Sequence, residues 1–363
     1  MPRSLPAVLA LLLIAGCSAA GERPVRPIEF VLIDADAHGA IIGDMRRAEF
    51  LGVARDGRVV WRAPQSGAAP DAAECATRCP DALLSGNAAA WNTDDVPDPP
   101  AELIRDGRRE MVGGTALTGR VKRTVLTASS PRDYVVTAGG PGRWTLDVVR
   151  PGAAPVRVPV PGPRLSWAAT ADGRHGIAVA TGADPARAAA VWFTRTTAGW
   201  QPDPRPTLVA GSAACLAPDG ASAMLLGTRP ALRSRDGARR LVTDLDYASD
   251  CGLAASGGIV GTYRQDSGGP AFRIRVFDAD GTVVWRADSR GTARVTADPA
   301  GARVAVAVAG TTTEVDTTTG AVLRTVGHAF AARYDGAGDL VVVDGNGVPR
   351  WWRSAVIPAA RPG

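Results

Sequence analysis

Groups that could act as a base near neutral pH are scarce in this chain. Its 363 residues include three histidines, His38, His175 and His328. Histidine is the one side chain whose ordinary pKa lies near neutrality, and catalysis by proton transfer favours it. Aspartates are more numerous, but almost all occupy turn positions, where a short carboxylate accepts hydrogen bonds from the backbone. We therefore expect no catalytic residues and no metal site.

Lysine is nearly absent too: Lys122 is the only one. The formal net charge of +5 and the pI of about 9.2 therefore come from arginine, a bias that usually reflects a GC-rich coding sequence. The arginine clusters at 105–109 and 233–240 fall at expected hairpin turns, where exposed charges are common. The charge alone does not indicate an anionic partner, and we expect no nucleic-acid partner.

The chain has one notable apolar run, at residues 5–14, and it is too short to span a bilayer. Arg3 precedes it, and small residues lie before Cys17, as in a secretory leader. The segment LLIAGC at 12–17 resembles the lipobox of bacterial lipoprotein signal peptides. That resemblance implies removal of the leader, residues 1–16, and lipidation of Cys17. The alternative is an ordinary signal peptide with a chance cysteine.

If the lipobox is functional, residues 17–27 form a lipidated tether. The protein then lies on the extracytoplasmic face of the cell membrane, and Cys17 joins it to the bilayer. This location also removes nucleic acid from the set of available partners.

Turn residues, by contrast, are plentiful, with 42 glycines and 28 prolines. A hairpin with a glycine-containing turn recurs at residues 51–63, 103–112, 275–287 and 313–325. Such turns accept the positive φ that a tight connection between twisted strands requires. Runs rich in Val, Ala and Leu precede most hairpins, as expected for inner strands buried on both faces. A repeat of about 40 residues predicts an all-β chain, a β-propeller with four-stranded antiparallel blades.

The pairing of inner strands with hairpins favours seven blades. Six of them follow one another near residues 83–112, 125–158, 166–200, 214–242, 250–287 and 293–326. The seventh would join the hairpin at 49–62 to the strands at 329–353, which leaves no open sheet edge. Eight blades is the alternative, if residues 27–45 form strands of a separate blade. We assign residues 28–356 to one propeller domain and residues 357–363 to a tail.

Five cysteines are present, and four remain once Cys17 is set aside. An even number fits disulfides in an oxidising compartment. Cys215 and Cys251 occupy matching places in successive repeats, so we expect a bridge between neighbouring blades. Cys75 and Cys79 would then pair locally, inside what reads as an insertion at residues 64–100. Metal or redox chemistry is the rival interpretation, but the spacing of this pair is not Cys-x-x-Cys.

Two short motifs resemble sites of known families. QDSGGP at 265–270 is similar to the nucleophile motif of trypsin-like serine proteases, with Ser267 in the nucleophile's place. Gln265 replaces the leading glycine, and a hairpin turn explains the Gly and Pro residues. DADAHGAI at 34–41 resembles the start of an EF-hand calcium loop, but Met45 stands where the bidentate glutamate is needed. We interpret both segments as turns.

The hairpins DADGTVVW at 278–285 and DTTTGAVL at 316–323 resemble the repeats of quinoprotein-like and WD40-like (YVTN-type) propellers. The resemblance rests on turn and packing residues, including Trp61 and Trp285, and therefore implies a fold more than a chemistry. Pyrroloquinoline-quinone dehydrogenases of this type also use adjacent cysteines against the cofactor. This chain has none, so we expect no cofactor.

The function expected from the sequence is a non-catalytic scaffold: a monomeric, lipid-anchored propeller that binds a protein or an envelope polymer. Trp351 and Trp352 are candidates for the contact surface, because aromatic side chains anchor interfaces. The region around Cys75 and Cys79 is another candidate. The alternative is a propeller enzyme, either a hydrolase or lactonase or a quinoprotein-type oxidoreductase, that acts at the central funnel.

Overall fold

The computed structural model describes most of the chain after residue 29. The described ranges are residues 30–65, 73–75, 78–84, 101–112, 121–127, 130–149, 154–184, 187–228, 230–241, 247–266, 269–290, 293–299, 301–308 and 310–353. Among these residues, no helix is long and apolar enough to cross a membrane. The expected leader, the lipidated Cys17, the tether, the nucleophile-like Ser267 and the tail all lie outside the described residues.

The described strands form eight antiparallel sheets, numbered here in chain order. Sheets 1 to 4 contain β1 (Phe30–Ala35), β2 (Gly39–Asp44), β3 (Glu49–Ala54) and β4 (Val59–Pro64); β5 (Ala73–Cys75), β6 (Ala82–Leu84), β7 (Ala101–Arg105) and β8 (Arg108–Val112); β9 (Val121–Thr127), β10 (Ser130–Gly140), β11 (Arg143–Val149) and β12 (Val156–Val160); and β13 (Arg164–Ala169), β14 (His175–Thr181), β15 (Ala188–Thr196), β16 (Gly199–Pro202) and β17 (Thr207–Val209).

The second half of the chain repeats this plan. Sheets 5 to 8 contain β18 (Ala213–Leu216), β19 (Ser222–Thr228), β20 (Ala231–Ser234), β21 (Arg239–Leu241) and β22 (Tyr247–Ala248); β23 (Asp250–Ala254), β24 (Gly257–Asp266), β25 (Gly269–Asp278) and β26 (Val283–Arg290); β27 (Ala293–Ala297), β28 (Arg303–Val308), β29 (Thr311–Asp316) and β30 (Val322–Gly327); and β31 (Ala331–Tyr334), β32 (Leu340–Val343) and β33 (Pro349–Trp352).

Within each sheet the strands pair with their neighbours in sequence, except that β17 pairs with β15 and β22 pairs with β19. Seven sheets have at least four strands, whereas sheet 8 has three among the described residues. The first strands of consecutive sheets contact each other from β13 through β18, β23 and β27 to β31, and β31 contacts β1. Consecutive antiparallel sheets packed through their first strands are the plan of a β-propeller, so the expected all-β propeller fold is confirmed.

The core is a series of small apolar clusters, each of which draws on two neighbouring sheets. The cluster between sheets 5 and 6 includes Met224 and Phe277, and the cluster between sheets 3 and 4 includes Leu146 and Trp200. Strands such as β32, with the sequence LVVV, are buried at every position because both of their faces are covered. A chain longer than one ordinary core can therefore fold without a split into separate globular domains.

The expected sharing of one blade by the two chain ends is wrong. The hairpin at 49–62 forms one sheet with β1 and β2. These two strands lie within residues 27–45, the segment whose strands the eight-blade alternative required. The strands at 329–353 form sheet 8 separately. The described chain therefore has eight sheets in place of seven blades. The physical reason is local: β2 is buried along its whole length, so it acts as an inner strand.

Tryptophan side chains from the outer strands fill the space between sheets. Trp61 on β4 is buried in the cluster between sheets 1 and 2 and donates a hydrogen bond to the Pro80 carbonyl. Gly52, opposite Trp61 on β3, has no room for a Cβ, because that atom would overlap the indole ring. Trp285 on β26 packs against the cluster between sheets 6 and 7. These positions confirm the expected role of both tryptophans in packing between sheets.

The two ends of the molecule differ in the connections that they carry. One end, called here the hairpin end, carries the turns between the first and second strands of each sheet. Several of these turns contact their neighbours, as where Ala255 N donates to the Gly301 carbonyl at 3.1 Å. The opposite end carries the turns between second and third strands and the links from one sheet to the next.

Candidate functional site

Cys215 on β18 and Cys251 on β23 form a disulfide between sheets 5 and 6, with a Cα–Cα distance of 6.0 Å. The bridge joins the first strands of two consecutive sheets, as the matching repeat positions predicted. It closes a loop with a sequence separation of 36 residues. Such a crosslink stabilises the folded protein mainly because it restricts the unfolded chain.

Cys75 and Cys79 also form a disulfide, with a Cα–Cα distance of 5.0 Å. The expected insertion at residues 64–100 is wrong in part, because β5 and β6 lie within it. The disulfide consequently closes the first turn of sheet 2 and does not lie in a projecting loop. The sequence pattern did not predict these strands, because each is only three residues long.

The segment that resembles a calcium loop holds this turn. Asp34 Oδ2 accepts a hydrogen bond from Cys75 N at 3.0 Å, and Asp36 Oδ2 accepts one from Cys79 N at 2.8 Å. Asp36 Oδ1 also accepts from His38 N at 2.7 Å, within the turn between β1 and β2. The two carboxylates therefore attach sheet 2 to sheet 1, in agreement with the interpretation of this segment as a turn.

Asp36, Cys75 and Cys79 bring a carboxylate oxygen and two sulfurs within 4.8 Å of one another. Three such atoms could in principle hold a metal ion. Here the two sulfurs are bonded to each other, and the carboxylate accepts backbone hydrogen bonds. A thiolate is needed for zinc ligation, so this group does not provide three ligands while the disulfide is intact.

Trp351 closes the interface between sheets 8 and 1. Its Nε1 donates to the Asp36 carbonyl at 2.9 Å, and the Arg55 guanidinium lies 5.5 Å from the centre of its ring. Arg55 also pairs with Asp339 at 3.6 Å. Nearby, Arg333 Nε lies 2.9 Å from Asp34 Oδ1. Trp351 therefore packs and bonds inside the protein, whereas its neighbour Trp352 is exposed over 40 % of its surface.

At the hairpin end, the interface between sheets 7 and 8 contains a buried ionic network. Glu314 is fully buried and accepts hydrogen bonds from Arg324 Nε at 2.6 Å and from the Tyr334 hydroxyl at 2.8 Å. Arg303 Nη1 lies 3.5 Å from the same carboxylate, and its Nε donates to Asp298 Oδ2 at 2.9 Å. Burial, and then the Glu314 carboxylate, raise the pKa of Tyr334 well above its ordinary value.

This network pairs its charges inside the protein, and Arg303 Nη1 takes part through the ion pair with Glu314 alone. Arg303 Nη2 donates to the Gly338 carbonyl at 3.0 Å, which connects the first turn of sheet 8 to sheet 7. The Arg303 guanidinium also lies 5.6 Å from the centre of the Tyr334 ring. Buried charges are tolerated when they are paired and hydrogen-bonded in this way. The network therefore has a structural role.

At the opposite end, the same two sheets enclose a pocket of about 490 Å³, called here the 7/8 pocket. Its walls come from the end of β30, the turn between β32 and β33, and β33 itself. The lining residues are Val326, Gly327, His328, Phe330, Val342, Asp344, Gly345, Asn346, Arg350 and Trp352. The volume lies within the range of small-ligand sites.

The pocket combines aromatic and polar side chains. Arg350 and Trp352 are two residues apart on β33, and alternate residues of a strand share a face. Asp344 Oδ2 accepts a hydrogen bond from Arg350 Nη2 at 3.4 Å, and Asp344 Oδ1 accepts from Asn346 N at 2.9 Å. The carboxylate thereby stabilises the turn and contacts the arginine.

Phe330 forms the inner aromatic wall. Its backbone N donates to the Val343 carbonyl at 2.9 Å. A Cβ added to Gly310, where φ is +81°, or to Gly345 would lie 3.1 or 3.2 Å from the phenyl ring. The two glycines therefore let the ring lie against the backbone. At the pocket mouth, His328 is exposed and has a φ of 57°, a backbone conformation that side chains other than glycine adopt at a cost.

The sequence predicted one of these residues as a contact, Trp352, and it lines the 7/8 pocket. Trp351 turns to the other face and serves the interface between sheets 8 and 1. His328 was named as one of the three histidines but was not placed in a site. Phe330, Asn346 and Arg350 were missed, because their proximity depends on the stacking of two sheets.

No protein-family model matches the chain, and no curated protein matches it. Among solved structures, the chain is similar to the hydrazine synthase of Kuenenia stuttgartiensis, with 12 % sequence identity and a TM-score of 0.46. The match covers 94 % of this chain and 99 % of that one.

Proposed function

We propose that this protein is a lipid-anchored, extracytoplasmic β-propeller that binds a protein or a polymer of the cell envelope as a non-catalytic scaffold. The protein acts as a monomer attached to the outer face of the cell membrane through Cys17. Residues 1–16 serve as the signal peptide, and residues 17–27 connect the anchor to the sheets.

Export is supported by the cysteines. The four cysteines beyond Cys17 form two disulfides, and disulfides persist mainly in oxidising compartments outside the cytoplasm. The anchor itself rests on the lipobox-like segment that ends at Cys17. Both observations favour the same location.

The scaffold in this proposal is a closed, eight-bladed propeller with repeats of the quinoprotein-like and WD40-like (YVTN) type. Closure is supported by the contacts between sheets 8 and 1, which include the Trp351 indole and the pair of Arg333 with Asp34. These contacts join residues about three hundred positions apart in sequence. The repeat type rests on the hairpin turns and their tryptophans.

The observation that carries the binding function is the 7/8 pocket. Trp352 and Arg350 both line this pocket, Trp352 is exposed over 40 % of its surface, and the Arg350 side chain is 65 % exposed. Aromatic and arginine side chains are enriched where proteins bind their partners. Backbone and side-chain contacts of Asp344 and Phe330 hold the cavity in shape before any partner binds.

The test is cross-linking capture of the full chain from its native membrane, followed by mass spectrometry of both proteins and glycans. Two variants separate anchoring from binding. Cys17→Ala is expected to leave the membrane fraction and to lose the captured component. Trp352→Ala is expected to remain in the membrane fraction and also to lose it.

The proposal predicts one component that is enriched with the native chain and reduced with both variants. It is contradicted if Cys17→Ala remains membrane-bound. It is also contradicted if the native chain enriches nothing above an unrelated anchored protein.

A further inference from the structure

We propose that the 7/8 pocket binds a saccharide unit of an envelope polymer, an inference that rests on the proposed scaffold function and specifies its ligand. The saccharide ring lies against Trp352, and its hydroxyl groups bond to Arg350, Asp344 and Asn346.

The aromatic side chains favour this ligand class. A saccharide ring has one face of C–H groups and a rim of hydroxyl groups. An indole ring offers a large flat apolar surface with low conformational entropy. Trp352 lines the pocket and is exposed over 40 % of its surface. It can therefore cover the C–H face of a saccharide, with Phe330 as a second apolar wall.

The polar side chains match hydroxyl groups, which both donate and accept hydrogen bonds. The Arg350 guanidinium offers donors, the Asp344 carboxylate offers acceptors, and the Asn346 amide offers both. All three groups are planar and lie on one turn and the strand that follows it. Asp344 joins the other two residues before binding, because it accepts hydrogen bonds from the backbone N of Asn346 and from the side chain of Arg350.

The charge and size of the pocket also point to a neutral or weakly charged ligand. Asp344 and Arg350 form an ion pair, so their two charges cancel. A volume of about 490 Å³ accommodates one or two saccharide rings, and it does not accommodate a folded domain. Trp352 and Arg350 line the cavity and are both exposed, so the rest of a polymer can continue outside.

The experiment uses the full-length chain in detergent and a panel of soluble bacterial cell-wall oligosaccharides. Binding is measured on an array, and saturation-transfer difference NMR then maps the contact. We compare the native chain with Trp352→Ala and Asn346→Ala. Tyr247→Ala is the matched control, because Tyr247 is an aromatic of similar exposure, 42 %, outside the pocket.

We expect at least one oligosaccharide to bind, with a tenfold or greater loss of affinity in Trp352→Ala and a severalfold loss in Asn346→Ala. Tyr247→Ala should bind as the native chain does. Saturation should transfer most strongly to ring C–H protons, because they contact the indole. Circular dichroism that matches the native spectrum shows that the variants are folded.

Two results would overturn the inference: no oligosaccharide binds, or the Trp352→Ala chain binds as tightly as the native one. If membrane capture then still enriches a protein in a Trp352-dependent way, the scaffold function stands and the ligand is a peptide. If capture also fails, both proposals are wrong.

Discussion

The interface between sheets 7 and 8 uses polar residues in opposite ways at its two ends. At the hairpin end, Glu314, Arg303 and Asp298 are each at most 5 % exposed at the side chain and bond to one another. At the opposite end, Arg350 is 65 % exposed and faces the 7/8 pocket. The same two sheets therefore supply a structural network and an open site.

The difference shows that the number of polar residues is a poor guide to function in this fold. A buried group whose hydrogen bonds are used inside the protein contributes to stability and is not available to a ligand. An exposed group held in place by one neighbour remains available. Variants at the two ends should therefore separate stability from binding.

The largest effect on stability is expected from Glu314→Gln. The substitution keeps the shape of the side chain but leaves Arg324 and Arg303 without their shared carboxylate. Breaking a buried ion pair in this way costs about 3–5 kcal/mol. Urea unfolding of the variant measures this loss. The control Asp56→Asn, in an exposed pair with Arg58, should unfold as the native protein does, and equal stability of both variants would contradict the structural role.

Tyr334→Phe should have the next largest effect. The variant loses a hydrogen bond to a buried carboxylate, which is worth about 1.5–3 kcal/mol. It should also change the dependence of stability on pH. The pKa of Tyr334 is raised well above its ordinary value of 10.0.

Above that ordinary value, the unfolded chain loses the tyrosine proton while the folded chain keeps it. The contribution of Tyr334 to stability is therefore complete below pH 10 and declines as the pH rises further. In Tyr334→Phe this part of the decline should be absent. Parallel unfolding curves for both proteins from neutral to alkaline pH would show that the hydroxyl is not buried beside Glu314.

Gly310→Ala, at the pocket end, should lower stability less strongly and should also weaken binding. The residue has a φ of +81°, and the added Cβ would lie 3.1 Å from the Phe330 ring. Strain of this kind costs about 1–2 kcal/mol, and displacement of the ring should weaken saccharide binding. The control is Gly336→Ala, where a Cβ would meet no atom within 4 Å. Thermal unfolding and array binding report the two effects separately.

The smallest effect on stability is expected from Arg350→Ala. Its ion pair is exposed, so the free energy of unfolding should change by about 0.5 kcal/mol or less. Saccharide affinity should nevertheless fall severalfold, because the guanidinium lines the pocket. Urea unfolding and array binding of the same preparation provide the measurement. A large loss of stability with unchanged binding would reverse the roles assigned to the two ends.

Much of the fold could be predicted because its signals are local. The Asp-Gly turns identify hairpins, and Cys215 and Cys251 stand at matching repeat positions, so their disulfide followed from the sequence. Local patterns also led to a wrong prediction for the first sheet, because the hairpin at 49–62 was joined to the strands at 329–353. The segment that resembles a metal loop includes Asp34, which lies in β1, and Asp36, which lies in the turn to β2. That resemblance obscured the two strands.

The candidate site could be predicted only in part. Trp352 stood out as an aromatic near the end of the chain, but Phe330 and Arg350 become its neighbours only when sheets 7 and 8 stack. The buried network had a readable signal that was missed: Glu314 and Arg324 are direct cross-strand partners in the hairpin of β29 and β30. Burial decides the role of such a pair, and burial depends on the next sheet.

The most direct test of the account is hydrogen exchange measured by mass spectrometry, with and without a saturating oligosaccharide from the array. Binding at the 7/8 pocket should slow exchange in peptides that cover residues 326–330 and 342–352, which include the pocket lining. Exchange should not change in peptides that cover residues 298–303 and 333–339 at the hairpin end. Protection at the hairpin end without protection at the pocket would contradict the account.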